Sequence, residues 1–223
     1  METPQYTNVV GKKFHEDRSV RTFPGNTVIS KITPEMPIYP GLVEAQRQLK
    51  AVDTAGKYAF LPPSSFHMTV MEGLCDQART PERWSTKLAL DLPLTHVNQF
   101  MVACFAKISL PHAFTMRIVR LGFSQVLVVV LEAANEETAD ALQQFREHFS
   151  TETGIRFPDH ETYTYHISLA YNVMVLTSEE EHMFEDARRT IQQALITTYP
   201  RVELGRPRLT FFENMFRFDD ADM

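Results

Sequence analysis

Cysteine is nearly absent. Cys75 and Cys104 stand far apart and in no metal or redox spacing, which excludes a disulfide scaffold and leaves them as free, reduced thiols. Long apolar runs are missing as well. The longest, around Val126 to Leu131, is the size of a strand, so no membrane span is expected. The start, Met1-Glu2-Thr3-Pro4-Gln5, has neither the basic residues nor the apolar stretch of a signal peptide, and the expected location is the cytosol. There is no His-Glu-x-x-His helix and no close carboxylate cluster with ligand spacing. That weighs against a metal hydrolase built on His160 and His166. Basic charge is also short, with a formal net charge of −6. A protein that gripped long nucleic acid through its phosphates is expected to be basic. The Arg residues at 201, 206 and 208, and Arg117 and Arg120 on one candidate strand, suit a small phosphate ligand or a nucleic-acid end better than a long duplex.

What remains is an ordinary globular composition, 43% hydrophobic and 22% charged over 223 residues, enough for a substantial core. Residues 1–22 are polar and read as an arm. Thr27–Ile32 reads as a strand behind the Pro24-Gly25-Asn26 turn, and a helix follows Pro40 with Leu42, Val43, Leu49 and Val52 inward. A helix capped by Thr95 is expected around Met101, Cys104 and Phe105. Strands over 114–123 and 125–133, joined by a turn at Gly122–Ser124, come next. Asn135 and Gly154 bound a third helix, and Ser178 with Glu181 makes a capping box for a fourth. Arg208–Phe212 is the last strand, and the acidic tail from Asp219 is expected to fray.

Two stretches carry chemistry. Phe66-His67-Met68-Thr69-Val70 and Tyr165-His166-Ile167-Ser168-Leu169 both alternate apolar with polar, so as strands they set His and hydroxyl on one face and bury the other. The tripeptide His-x-Ser/Thr alone proves nothing, because four of the eight His fit it, His148 and His160 included. The flanking alternation separates the two, and so does their placement. The strand from Thr27 precedes His67 by 40 residues (67 − 27), and Val126 precedes His166 by the same 40 (166 − 126). Each interval holds a helix, which implies a degenerate duplication with repeats near 26–120 and 125–218 inside one bilobal domain.

Two such faces brought together would converge two imidazoles and two hydroxyls. Imidazole titrates near pH 6.5, so one copy can accept a proton while the other donates one. Hydroxyls two residues on can hold the non-bridging oxygens of a phosphoryl group, and no metal or cofactor is required.

The motifs His67-Met68-Thr69-Val70 and His166-Ile167-Ser168-Leu169 resemble those of the two-histidine (2H) phosphoesterase superfamily, marked by paired His-x-Thr/Ser-x motifs, with Ser168 within that pattern. Phe23-Pro24-Gly25-Asn26-Thr27-Val28-Ile29 and the stretch from His166 to Tyr171 look like a less characterised bacterial branch related to 2′-5′ RNA ligase and cyclic phosphodiesterase proteins. The resemblance runs from about Thr27 to Phe218. It implies an α+β, duplicated bilobal fold, two antiparallel sheets around a central cavity with helices outside. It also implies chemistry on 2′,3′-cyclic phosphates or 2′-5′ linkages, with His67, Thr69, His166 and Ser168 as site residues. The alternatives are a phosphate- or RNA-end-binding module without catalysis, and a ligase running the reverse reaction. Tyr58, Arg117, Tyr163 and Arg208 are the candidates for specificity.

Overall fold

The computed structural model describes residues 4–123 and 125–221. In chain order the elements are β1 (Gly25–Lys31), α1 (Tyr39–Val52), β2 (Tyr58–Phe60), β3 (His67–Cys75), α2 (Leu94–Phe105), β4 (Ala113–Phe123), β5 (Val126–Ala133), α3 (Glu136–Thr153), β6 (His166–Asn172), α4 (Ser178–Thr198), β7 (Val202–Gly205), β8 (Arg208–Asn214) and β9 (Arg217–Asp220). Mixed helix and strand is as expected. The expected two sheets are instead one hydrogen-bonded antiparallel sheet of nine strands, ordered β7-β4-β5-β6-β3-β1-β8-β9, with β2 also on β6. Its two halves meet at β3 and β6 through a single residue pair, Met68 with Ile167. Beyond that pair the two strands part, and β2 takes the vacated edge of β6 at Phe60 to Tyr58.

Alternation along the two His strands works as the pattern requires. Phe66, Met68, Val70, Ile167 and Leu169 are all buried in the main core, each worth roughly 1.5–3 kcal/mol against leaving it in water. Helix packing repeats across the halves: α1 lies on α4 and α4 on β4, while α3 lies on α2 and α2 on β8.

The N-terminal arm is packed. Val9 and Phe14 are buried with Ala59, Leu61, Val173 and Met215 in a second cluster, because these apolar side chains punctuate the polar run. Helix α2 begins at Leu94 behind an extended Pro93, so Thr95 lies inside the first turn and is not the cap. The capping box of α4 is Thr177 with Glu180, one residue earlier than expected. Thr-Ser-Glu-Glu-Glu admits both frames, and Lys57 selects this one by pairing with Glu180 at 2.6 Å. Asn135 caps α3 by accepting from the Thr138 N–H, and Gly154 ends it at φ 71°. The acidic tail is ordered through β9. Asp220 accepts from Lys31 at 2.7 Å and Arg208 at 2.8 Å, and these bonds hold what composition alone marks as frayed. Ser124 of the expected hairpin turn, and Asp222 and Met223 of the tail, lie outside the described residues.

Candidate active site

On β3 and β6 the site begins with register. Met68 opposite Ile167 in an antiparallel pair sets His67 across from Ser168 and Thr69 across from His166. The two imidazoles therefore flank this pair from neighbouring strands, and both line one cavity.

Each of these strands then carries an extra residue just past its hydroxyl, and β3 slips a second time between Glu72 and Cys75. Pairing of β1 with β3 slips between Ile29–Thr69 and Val28–Met71, and pairing of β5 with β6 slips between Val128–Ser168 and Leu127–Ala170. The bulged residues are Val70 and Leu169, 99 positions apart (169 − 70), as are the two His (166 − 67). A bulge leaves its extra residue out of the ladder and reverses which way the following side chains point. Two consequences follow. Glu72 and Tyr171 turn into the same cavity as the His and hydroxyls. The carbonyls of Val70 and Leu169 meet buried helix side chains: the Arg146 guanidinium of α3 donates to Val70 O at 2.9 Å, and the Gln46 amide of α1 donates to Leu169 O at 3.0 Å. Each side chain takes a second carbonyl too, Arg146 that of His160 (2.9 Å) and Gln46 that of Leu61 (2.7 Å). Each helix thus braces the other half's His strand.

The cavity has a volume of about 650 Å³, and His67, Thr69, His166 and Ser168 all line it. The imidazoles are held alike. His67 Nδ1 lies 2.7 Å from Ser65 O and His166 Nδ1 lies 2.8 Å from Thr164 O. A carbonyl can only accept, so both Nδ1 atoms carry hydrogen and both Nε2 atoms are left for substrate. Desolvation lowers the His67 pKa to about 4 against the pull of its carbonyl, with His166 and Lys31 adding to the shift. His166 is lowered chiefly by desolvation too, with Lys13 contributing. The Phe218 ring of β9 packs on His67 at 4.3 Å between centroids.

Of the specificity candidates, Tyr163 lines the cavity, with the Arg146 guanidinium 4.7 Å from its ring centre. Tyr58 is a core residue packed 4.9 Å from Phe184. Arg117 is paired with Glu132 and Arg208 with Asp220, both on exposed surface; neither is among the cavity residues, nor are Arg120, Arg201 and Arg206. His160 belongs to a separate recess of about 280 Å³, its Nε2 3.1 Å from Glu147. Together with Glu161 these groups lie close enough to hold a cation, but the Arg156 guanidinium already pairs with both carboxylates. His160 and His166 do not form one site.

Pattern reading missed Lys13, Glu72, Arg83, Asp159, Tyr171 and Phe218, all of which line the cavity. Glu72 and Tyr171 keep the 99-residue offset (171 − 72) and were discoverable from it. Burial, with Asp159 beside it, raises the pKa of the Glu72 carboxyl.

Paired imidazole and hydroxyl groups on adjoining central strands of an antiparallel sheet define a two-histidine protein. The chain belongs to the family described as 2H-phosphodiest, a domain of unknown function (DUF1868), which matches residues 13–127. That span includes His67 and ends before β6. No curated protein matches the sequence. Among solved structures it is similar to the conserved protein of unknown function ATU0111 from Agrobacterium tumefaciens, with a TM-score of 0.90 and 26% identity over 99% of this chain and 93% of that one. Two distant likenesses have a TM-score of 0.46. One is TT0787 of Thermus thermophilus, 17% identical over 83% of this chain and 87% of that one. The other is Usb1 of Kluyveromyces marxianus, 10% identical over 90% and 99%. At that distance neither bears on this chain's chemistry.

Proposed function

We propose that the protein is a phosphodiesterase that hydrolyses a 2′,3′-cyclic or 2′-5′ phosphodiester of a nucleotide or RNA end, with His67 and His166 as its general base and general acid and no metal ion. The observation that carries this reading is the matched presentation of the two imidazoles, each with Nδ1 spent on the carbonyl two residues upstream and Nε2 left over the cavity. One Nε2 takes the proton of an attacking water as the water oxygen bonds to phosphorus. The other gives its proton to the ribose oxygen as the P–O bond to that oxygen breaks. Thr69 and Ser168 donate to the non-bridging oxygens. The deeper pKa depression at His67, flanked by Lys31 and Phe218, supports His67 as the base and His166 as the acid. The same reading takes the halves as a duplication. The shared bulges and crossed braces support it, as does the way the helix pairs exchange.

The test is hydrolysis of a panel of 2′,3′-cyclic nucleotides and short cyclic-phosphate-ended RNAs with a chelator present, for wild type, His67→Gln and His166→Gln. Each substitution is expected to cost on the order of 10²- to 10⁴-fold in kcat. Activity that survives either change, or that vanishes with chelator, overturns the mechanism. Binding of these compounds at the His pair with no product would make the protein a binding module.

A further inference from the structure

Two titrating imidazoles and two hydroxyls supply no permanent positive charge for a phosphoryl group that gains negative charge as it reacts. Among the described residues the cavity holds two cations, Lys13 and Arg83. Arg83 is engaged, with Nη1 3.2 Å from Asp159 and 3.8 Å from Glu72. Lys13 has no carboxylate partner among the described residues. Its Nζ has one long hydrogen bond, 3.3 Å to the Tyr171 hydroxyl, and sits 4.8 Å from the Tyr171 ring centre and 5.3 Å from that of Phe23. An ammonium has three donors, so two are unspent there.

The position is built. Lys13 N donates to Val9 O at 2.9 Å, Lys13 O accepts from Arg21 N at 2.8 Å, and the next residue, Phe14, is wholly buried. The backbone is thereby pinned while the side chain, between two aromatic rings, reaches over the third cavity-facing position of β6. Aromatic faces stabilise an ammonium without neutralising it, which leaves its charge for an anion.

We infer that the Lys13 ammonium binds a non-bridging oxygen of the substrate's phosphoryl group, which brings one side chain of the N-terminal arm into the active site. The inference rests on the phosphodiester reading for its substrate, but it is tested separately with inorganic phosphate. Removing one preorganised donor to a developing oxyanion typically costs 10²- to 10³-fold, and a hydrogen bond to a charged group about 10-fold or more in binding.

The experiment measures inorganic phosphate affinity by calorimetry, and turnover of the cyclic nucleotides, for wild type, Lys13→Met, Lys13→Arg and the exposed neighbour Lys12→Met, which removes the same charge. Expected are about tenfold weaker phosphate binding and a roughly 10²-fold or greater loss of kcat/KM in Lys13→Met, partial recovery in Lys13→Arg, and wild-type values in Lys12→Met. Equal effects of Lys13→Met and Lys12→Met overturn the inference, as does absence of phosphate binding by wild type. If no substrate turns over yet Lys13→Met alone loses phosphate, the cation site stands and the hydrolase reading fails. Should Lys13→Met fail to fold, acetylation of wild-type lysines decides: phosphate should protect Lys13 selectively, and an unchanged Lys13 rate sinks the proposal.

Discussion

Burial in the cavity disfavours the charged form of both imidazoles, which favours their neutral forms at pH 7 in the free protein. A neutral imidazole can serve as base but not as acid, so the free protein is most competent where one His holds a proton and the other does not. The base must be deprotonated, which gives a limb rising through about 4 for His67. The acid must be protonated, which gives a limb falling below the ordinary 6.5 for His166. The expected kcat/KM profile is thus a bell with its maximum between about 4 and 6.5. A bound phosphate anion favours the imidazolium, so the kcat profile should lie at higher pH than that of kcat/KM. A kcat/KM maximum above pH 7 would contradict the assignment. At this scale the sequence made legible that His67 shares a strand face with Thr69 and His166 with Ser168, the four side chains that line the cavity. The pattern of alternation states which face a side chain takes, and both His strands kept theirs up to the bulge.

The bulges turn Glu72 and Tyr171 into the cavity, and their braces are the place to test them. Arg146→Met removes the donor to the Val70 and His160 carbonyls and leaves both buried acceptors unmet, each at a cost of about 1–3 kcal/mol. The variant should melt earlier and lose kcat more than KM, since Thr69 and Glu72 sit on either side of the freed bulge. Gln46→Leu should do the same at β6 through Leu169, next to Ser168. Wild-type kcat in both variants, with lowered melting temperature, would reduce the braces to stability alone. Nothing in the alternation announces an extra residue at Val70 or Leu169, because each is apolar and follows a strand-like run. Their 99-residue offset (169 − 70) is written in the sequence, but only the slipped pairing gives it meaning.

For the molecule as a whole, the N-terminal arm and β9 both border the cavity. Residues 4–23 bring Lys13, and β9 brings Phe218 against His67. Phe218→Ala opens His67 to water and should raise its pKa from about 4 toward 6.5, read as an upward shift of the low-pH limb and of the His67 proton titration by NMR. An unmoved titration would show that Phe218 does not seal the imidazole.

What the sequence by itself determined is local: strand faces from alternation, and helix starts such as Asn135 and stops such as Gly154. These depend on residues within a turn or two of one another, and chemistry at that range is encoded in residue type. Only the tertiary structure decided that two expected sheets are one, that Thr177 and not Ser178 caps α4, and that Lys13 shares a cavity with residues 54 to 205 positions away (67 − 13, 218 − 13). Lys13 looks in sequence like any solvated lysine. Its role follows from the burial of Phe14 beside it, and that burial depends on Leu61, Val173 and Met215, which only the folded chain brings to it.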